Sequence, residues 1–379
     1  MFKEQNAIAL GYKSQLLDEV VPFWEDRVLD KEYGGYFIYF TRDGTLYDTL
    51  KPGWFVGRIM HTFAALYNEI DKKEKWLKIA EAGRKMFDTS FYAGDGRFNM
   101  MLDQKGKVLE GTTSIFTDHF AVKGLYEYIH AKDLKEDIPL AEELSDFLFS
   151  NVKKQTGLQK LAVTFMTLIT AQESRKVLGS KYQPVVDECI KRSLYEFAND
   201  RYQAFFEYID NDGQPALDGP GRVLDPGHTM EALWFAMSEG GGYHQRAGQI
   251  LDWVIERAYD EEYGGFYHLV DIDGKEPKGN LGTVDYGPVK AKWNDKIWWV
   301  QCEALVALAM SAVLNKNERH WKYFLKQREF TESLFRDRTY GEWYAFLKPD
   351  GGMLCDLKGF AGKGPYHVPR CLMRLAQFL

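Results

Sequence analysis

Cysteine is scarce in this sequence, and no two of its four cysteines have the C-x-x-C spacing of a metal or redox site. That pattern favours reduced thiols in a reducing compartment, so we expect a cytoplasmic protein. Blocks of five or more lysines and arginines are also absent, and the formal net charge is −7. A chain with this charge pattern is not expected to bind nucleic acid.

Long apolar runs are missing as well. Residues 1–10 include Lys3 and Glu4 and lack the apolar segment of a signal peptide. No stretch of 18 consecutive apolar residues occurs, so we expect no membrane span. No HExxH motif or similar cluster is present, and His228 with Glu231 lacks a third ligand nearby in sequence. We therefore expect no metal site.

Aromatic residues are abundant, with 10 Trp, 22 Tyr and 25 Phe making up 15% of the chain. An aromatic-lined pocket for a ringed ligand such as a sugar would use them. A large helical core uses aromatic residues too, so composition alone leaves both interpretations open.

A short aromatic segment that ends in an Asp/Gly turn recurs along the chain. The copies are Asp30–Gly44, Asp95–Gly106, Asp200–Gly213, Asp260–Gly274 and Arg338–Gly351. Each copy predicts a small β-hairpin whose closing glycine has positive φ. The spacing of about 60 residues predicts about six units, with one degenerate copy near Lys153 to Lys160.

Between the hairpins the apolar residues recur at helical spacing. The more apolar segments are Trp54–Ile70, Thr117–Ala131, His228–Glu239, Ile297–Leu314 and Val368–Phe378. The more amphipathic ones are Glu74–Phe87, Leu140–Val152, Pro184–Phe197 and Tyr243–Arg257. Two helices per unit predict an all-α (α/α)6 barrel of about twelve helices, with the apolar helices forming the inner ring. We expect residues 1–379 to form one catalytic domain.

Several inner helices begin with a polar or aromatic pair one turn apart. The pairs are Trp54 with Arg58, His228 with Glu231, Trp299 with Glu303, and His367 with Arg370. Residues three or four apart share one helical face, and the inner helices all begin at the same mouth of a barrel. One such pair alone is more often a surface pair or a core feature. Their recurrence at equivalent repeat positions predicts a shared pocket.

Six segments together resemble the N-acylglucosamine 2-epimerase family: KPGWFVGR (51–58), SIFTDHF (114–120), GRVLDPGHTMEALWF (221–235), DKIWWVQCEALVA (295–307), EWYAFLKPDG (342–351) and GPYHVPR (364–370). The family fold is the (α/α)6 barrel. The resemblance implies that His228 and His367 are the acid/base pair. It also implies that Arg58 binds the substrate oxygen near C1 and C2.

The same resemblance implies further substrate contacts. Glu231, Trp234, Trp299 and Glu303 fall on positions that hold or stack the sugar, and His61 lies one turn beyond Arg58, where it is expected to line the pocket. The family implies a homodimer and ATP as an allosteric activator, whereas the chemistry itself needs no cofactor. Residues 160–173 contain no histidine, which favours the N-acyl-hexosamine branch over the cellobiose and mannose branches.

The expected reaction is the interconversion of N-acyl-D-glucosamine and N-acyl-D-mannosamine through proton exchange at C2 of the open-chain sugar. The alternatives are an aldose–ketose isomerase, or a 2-epimerase of mannose or another neutral sugar. An inverting glycoside hydrolase would use Glu231 and Glu303 as its two carboxyl groups. A binding or scaffold protein is the alternative outside the enzymes.

Overall fold

The computed structural model describes residues 4–152 and 157–379. Its α-helices are α1 (Gln5–Gln15), α2 (Val21–Glu25), α3 (Gly53–Glu69), α4 (Glu74–Phe87), α5 (Ile115–Lys132), α6 (Ile138–Val152), α7 (Leu161–Leu178), α8 (Gln183–Lys191), α9 (Pro226–Ser238), α10 (Tyr243–Ala258), α11 (Trp298–Asn315), α12 (Glu318–Leu334) and α13 (His367–Phe378). A π-helical turn over Leu16–Val20 joins α1 to α2, and another over Arg192–Phe197 extends α8.

Six helices form a closed inner ring. Helices α3, α5, α7, α9, α11 and α13 each pack on the next, and α13 packs back on α3. The outer layer consists of α4, α6, α8, α10, α12 and the α1–α2 segment, which packs on α13 and α4. The predicted (α/α)6 barrel is therefore confirmed.

The two layers follow from the distribution of apolar residues. In α11 every residue from Trp298 to Ala312 is buried, as expected for a helix that other helices surround. In α4 the buried residues Trp76, Ile79, Ala80 and Gly83 lie on one face.

Among the described residues, α11 alone is long and apolar enough to cross a membrane, and 83% of it is buried inside the barrel.

Two glycines set the closest approach between inner helices. A β-carbon at Gly57 would lie 2.2 Å from the Phe120 carbonyl oxygen, and one at Gly124 would lie 2.5 Å from the Gly57 carbonyl oxygen. Only glycine allows α3 and α5 to pack this closely. The contact holds Arg58, which follows Gly57, against the Phe120 ring.

The strands contain two or three residues each. They are β1 (Tyr39–Phe40), β2 (Leu46–Asp48), β3 (Lys51–Pro52), β4 (Tyr92–Gly94), β5 (Arg97–Phe98), β6 (Met101–Leu102), β7 (Val108–Glu110), β8 (Gln159–Lys160), β9 (Ala198–Asn199), β10 (Ala204–Phe205), β11 (Tyr208–Ile209), β12 (Val223–Leu224), β13 (Val270–Asp271), β14 (Thr283–Asp285), β15 (Lys290–Lys292), β16 (Lys296–Ile297), β17 (Phe346–Leu347) and β18 (Met353–Cys355).

The predicted turns are present. The closing glycines have φ between +73° and +90°, and each donates its N–H to the carbonyl oxygen three residues earlier. These glycines are Gly44, Gly106, Gly213, Gly274 and Gly351. Of the degenerate copy expected near Lys153 to Lys160, residues 153–156 lie outside the described residues, and Gln159–Lys160 form strand β8.

The strands also pair between units, which the repeat pattern did not predict. The short strand before an inner helix pairs with a strand of the following unit: β3 with β6, β8 with β11, β12 with β13, and β16 with β17. Before α13, Gly359 pairs with Phe40 of the first unit and so joins the two ends of the barrel. These pairings fix where the inner helices begin.

Three buried ion pairs recur at equivalent positions beside these strands. Asp30 binds Lys51 at 2.8 Å, Asp260 binds Lys296 at 2.8 Å, and Asp337 binds Lys358 at 2.9 Å. Each aspartate Oδ1 also accepts two backbone N–H groups of its own turn, and each lysine lies shortly before an inner helix. The pairs therefore attach the turns to the helix starts.

We predict that Asp260→Asn lowers the free energy of unfolding by about 3–5 kcal/mol, since it leaves the Lys296 ammonium buried without a carboxylate. Asparagine keeps the turn bonds, as Asn199, directly before the Asp200–Gly213 copy, does for the N–H groups of Arg201 and Tyr202. Denaturant unfolding measures the change. The double variant Asp260→Asn with Lys296→Met should recover most of the loss.

The matched control is Asp210→Asn in an exposed turn, where Oδ1 accepts two backbone N–H groups and no lysine is paired with it in the described part of the chain. It should change stability by less than about 0.5 kcal/mol. A loss in Asp260→Asn no greater than that of this control would contradict the structural role of the ion pair.

Candidate active site

An open cavity with an empty volume of about 870 Å³ lies where the inner helices begin. All six inner helices line it, together with three residues of the connecting segments. Its lining residues are Trp54, Arg58, Phe116, Phe120, Lys160, Ala162, Phe165, Met166, His228, Glu231, Tyr286, Trp299, Gly362 and His367. The structure thus brings Arg58, Glu231, Trp299 and both histidines to one cavity, as the pairs in the sequence predict.

His228 lies in the first turn of α9 and faces two carboxylates. Asp225 caps this helix by accepting the His228 backbone N–H at 3.0 Å, and Pro226 occupies the first turn, where no N–H is needed. The imidazole Nδ1 lies 3.1 Å from Glu207 Oε2 and 3.3 Å from Asp225 Oδ2. Burial opposes the imidazolium, but the carboxylates of Asp225 and Glu207 outweigh it and raise the pKa of His228 to about 9. His228 is therefore protonated at neutral pH.

His367, the first residue of α13, has the opposite surroundings. Its Nδ1 lies 2.7 Å from Glu303 Oε1, so the carboxylate accepts the Nδ1 proton and the lone pair is left on Nε2. Burial and the positive charge of Arg370 lower the pKa of His367 well below its ordinary value. This histidine is therefore neutral at pH 7.

A buried network beneath the cavity holds His367. Arg370 Nη2 donates to Glu231 Oε1 at 2.6 Å and to Glu303 Oε1 at 2.7 Å. Trp234 Nε1 donates to the other oxygen of Glu303 at 2.7 Å. Both Glu303 oxygens are therefore occupied by protein donors. Glu303 and Trp234 do not line this cavity, although the sequence led us to expect direct contact with substrate. Through their hydrogen bonds they instead hold His367 in place.

His61 also lies away from this cavity. A helix rises 1.5 Å per residue, so His61 is about 4.5 Å deeper in the barrel than Arg58. It lines a second cavity at the other end together with Trp234, and its Nε2 lies 3.2 Å from Glu173 Oε1. Burial lowers the pKa of His61 to about 3. His61 therefore does not share the cavity of Arg58, His228 and His367, although the sequence led us to expect that it would.

Arg58 presents a charged group without a carboxylate partner in the described ranges. Its guanidinium lies 4.0 Å from the centroid of the Phe120 ring and 4.8 Å from that of Tyr366, and its Nε has no hydrogen-bond partner. Burial lowers the pKa of Arg58 to about 10, which leaves it charged at pH 7. A half-buried cation with an unpartnered donor beside a cavity can bind an oxyanion.

Trp299 is the residue that both histidines share. Its ring centroid lies 5.3 Å from that of His228 and 5.8 Å from that of His367. The indole N–H donates to the Tyr286 hydroxyl at 3.2 Å, which in turn lies 3.1 Å from His268 Nε2. Trp299 therefore has a fixed orientation and offers an apolar surface between the two imidazoles.

Sequence reasoning missed several residues of the site. Glu207 belongs to the aromatic segment Asp200–Gly213, and a single acid among aromatic residues was its only signal. Tyr286 lies in the loop of the β14–β15 hairpin, which no repeat or helix pattern marked. Phe165 and Met166 lie on α7, where apolar residues on every face obscure which side is the cavity.

Among the described residues, two groups of glutamate and histidine side chains have their possible ligand atoms within 4.8 Å of one another, close enough to hold a metal ion. In the first, formed by Glu231, Glu303 and His367, the Arg370 guanidinium binds both carboxylates. In the second, formed by His61, Glu127 and Glu173, Lys176 binds both carboxylates, at 2.5 and 2.8 Å. In each group a cationic side chain thus already binds both carboxylates and offsets part of their negative charge.

Comparison with known proteins identifies related chains. Residues 35–371 match the family model described as N-acylglucosamine 2-epimerase. The N-acylglucosamine 2-epimerase of Rattus norvegicus is 29% identical over 96% of this chain and 90% of the rat protein. The fold is similar to that of D-mannose isomerase, with a TM-score of 0.84 at 20% identity over 98% of both chains. The cellobiose 2-epimerase of Bacillus thermoamylovorans gives 0.82 at 18% identity, over 99% of this chain and 100% of that one.

We predict that the imidazole of His228 titrates near pH 9 and that Glu207→Gln lowers this pKa. The substitution removes a negative charge 3.1 Å from Nδ1, so the imidazolium loses part of its electrostatic stabilisation. Histidine-selective NMR across pH 5–10 measures the shift. Asp212→Asn, at an exposed hairpin tip, is the control and should leave the titration unchanged. A wild-type His228 that titrates below pH 7 would contradict the assignment.

Proposed function

Since this chain belongs to the N-acylglucosamine 2-epimerase family, we propose that it interconverts N-acyl-D-glucosamine and N-acyl-D-mannosamine. The observation that carries the proposal is a pair of histidines beside one indole ring, of which His228 faces two carboxylates and His367 lies beside the Arg370 guanidinium. An epimerase that acts through two bases needs such a pair, because one group must remove the C2 proton while another already holds a proton to return.

The first half of the reaction is deprotonation at C2 of the open-chain sugar. His367 Nε2 accepts the proton, the C2–H bond breaks, and its electrons form the C1–C2 double bond while negative charge moves to the C1 oxygen. A proton beside an aldehyde is a weak acid, so the developing oxyanion needs stabilisation. Arg58 supplies it, because its guanidinium is charged and has no carboxylate partner among the described residues.

In the second half His228 returns a proton to the opposite face of C2. A new C2–H bond forms, the carbonyl at C1 is restored, and the configuration at C2 is inverted. In the reverse direction the two histidines exchange roles. Which epimer each histidine deprotonates stays open. Trp299, which contacts both imidazoles, supplies a stacking surface, and Glu231 lies on the cavity wall within reach of sugar hydroxyls.

The rival hydrolase mechanism is less compatible with this site. An inverting hydrolase needs one carboxylic acid and one carboxylate free to contact the glycosidic oxygen and a water molecule. Here Arg370 binds both Glu231 and Glu303, and Glu303 also binds Trp234 and His367. An aldose–ketose isomerase would share the enediolate but return the proton to C1, so product analysis by NMR separates it from the epimerase.

We further propose that the protein acts as a cytoplasmic homodimer, that its chemistry requires no cofactor, and that ATP is an allosteric activator. These proposals rest on the family resemblance. Residues 238–248, a glycine-rich run from the last residue of α9 into the first turns of α10, are the segment suspected of nucleotide binding. Gly240, Gly241 and Gly242, which lie between the two helices, all have positive φ.

We predict that His228→Asn and His367→Asn each lower the rate of epimerisation by about 10²–10⁴-fold, as expected for loss of a general acid or base. Each variant should still exchange the C2 proton of one epimer with D₂O, because the remaining base serves one face only, and the two variants should exchange different epimers. Proton NMR of N-acetylglucosamine and N-acetylmannosamine in D₂O measures both quantities. His130→Gln, on the exposed end of α5, is the control and should behave as wild type.

We predict that Arg58→Met lowers kcat by about 10²–10³-fold, the usual cost of removing an oxyanion donor.

In the direction that requires His228 as the acid, the wild-type rate should fall about tenfold per pH unit above about pH 9, since deprotonated His228 has no proton to give. Glu207→Gln should move this fall to lower pH. A flat pH profile up to pH 10.5 in both proteins would exclude His228 as the acid.

A further inference from the structure

One side of the active-site cavity is hydrocarbon. It is formed by Phe116 at the start of α5 and by Ala162, Phe165 and Met166 in the first turns of α7. We refer to these four residues as the apolar wall. The last three are 2–4% exposed and so are held firmly by the core. Lys160, directly before α7, also lines the cavity, and its Nζ lies 5.6 Å from the centroid of the Phe116 ring. The other polar groups of the cavity lie mainly on α3, α9, α11 and α13.

The geometry of the intermediate limits where each part of the sugar can lie. An enediolate is planar at C2, so the two bases act from above and below the plane. The remaining substituents of C2, namely C1, C3 and the amide nitrogen, all lie in that plane. The C1 oxygen is directed to Arg58, which leaves two in-plane directions for the amide and the C3–C6 chain.

Distance limits the acyl group further. Across a trans amide the terminal carbons are about 3.8 Å apart, so an acetyl methyl lies that far from C2. The methyl group must therefore contact a surface close to the histidines. Phe165 meets this condition, because its ring centroid is 5.3 Å from that of His228.

The polarity of the cavity walls then decides which in-plane direction the acyl group takes and which the C3–C6 chain takes. The C3–C6 chain carries hydroxyl groups, which lose hydrogen bonds to water if they face hydrocarbon. Beyond His228 a neighbouring cavity, lined in part by Glu207, Tyr208, Asp225 and Tyr286, offers polar partners. Glu207 Oε1 there is buried without a hydrogen-bond partner. The sugar chain is matched to that side, and the apolar wall is matched to the methyl group.

From these constraints we infer that the apolar wall is the pocket for the N-acyl group and that Ala162 and Met166 set the acyl length it accepts. The inference rests on the proposed epimerase function and adds the origin of its substrate selectivity. Met166 limits the depth of the pocket by its length, and Ala162 leaves room that a larger side chain would fill.

The test is a series of N-formyl-, N-acetyl-, N-propanoyl- and N-butanoylmannosamine, with kcat/KM measured for each. One methylene in an apolar pocket changes kcat/KM by about 10–200-fold. Met166→Ala should therefore raise the propanoyl-to-acetyl ratio by at least about tenfold, and Ala162→Leu should raise the formyl-to-acetyl ratio similarly. The matched control is Met310→Ala in α11, which removes the same buried side chain outside the cavity and should leave both ratios unchanged.

The outcomes separate the inference from the function it rests on. If the wild-type protein epimerises none of the four substrates, the proposed function fails. If it does so and neither ratio changes in the wall variants, the acyl pocket is wrongly placed. An equal shift in Met310→Ala would attribute the effect to general loosening and would overturn the inference. A shift seen instead in Val284→Ala would place the acyl group in the neighbouring cavity.

Discussion

The site depends on the ion pairs that the Arg370 guanidinium forms with Glu231 and Glu303. The guanidinium joins α13 to α9 and α11 by binding Glu231 and Glu303 at once, deep between the inner helices. Each of these carboxylates would cost several kcal/mol to bury alone, and the guanidinium compensates both. The same cation lies near His367 and disfavours its protonation. One buried side chain thus holds three helices together and sets the chemical state of one proposed base.

The two histidines show how environment gives one residue type two roles. His228 faces two carboxylates, which hold a proton on it at neutral pH. His367 donates to one carboxylate, but burial and the arginine beside it lower its pKa and keep the ring neutral. Pairs of titratable groups with separated pKa values are a common basis for acid and base assignments in enzymes. Their common neighbour Trp299 brings the two states to one substrate position.

The repeated turns and ion pairs outside the ring explain how such a site can be assembled from distant parts of the chain. The strands before α3, α7, α9 and α11 each pair with a strand of the next unit, so these four helix starts are held by a neighbouring unit. The buried Asp–Lys pairs add a fixed charge contact at three of the turns. Errors in the position of one helix are limited because adjacent units constrain it from both sides.

Much of the fold was readable in the sequence, because its signals are local and repeated. The segment Glu74–Phe87 was predicted with its observed bounds, and Trp54–Ile70 is displaced by one residue from Gly53–Glu69. The segments α1–α2 and α12 were not predicted, because charged residues interrupt the helical spacing of their apolar residues. The turn glycines were found because positive φ strongly favours glycine.

The sequence by itself determined the barrel, the turns and the mouth at which Arg58, His228, Trp299 and His367 meet, because helical periodicity and repeat spacing specify direction along each helix. Only the tertiary structure decided how deep each side chain lies in the barrel and which charged groups contact the histidines. His61 and Trp234 lie on the far side of the Arg370 network, and Glu207, which no motif marked, is the partner of His228. A pKa depends on which charges are close in space, and chain order does not state that distance.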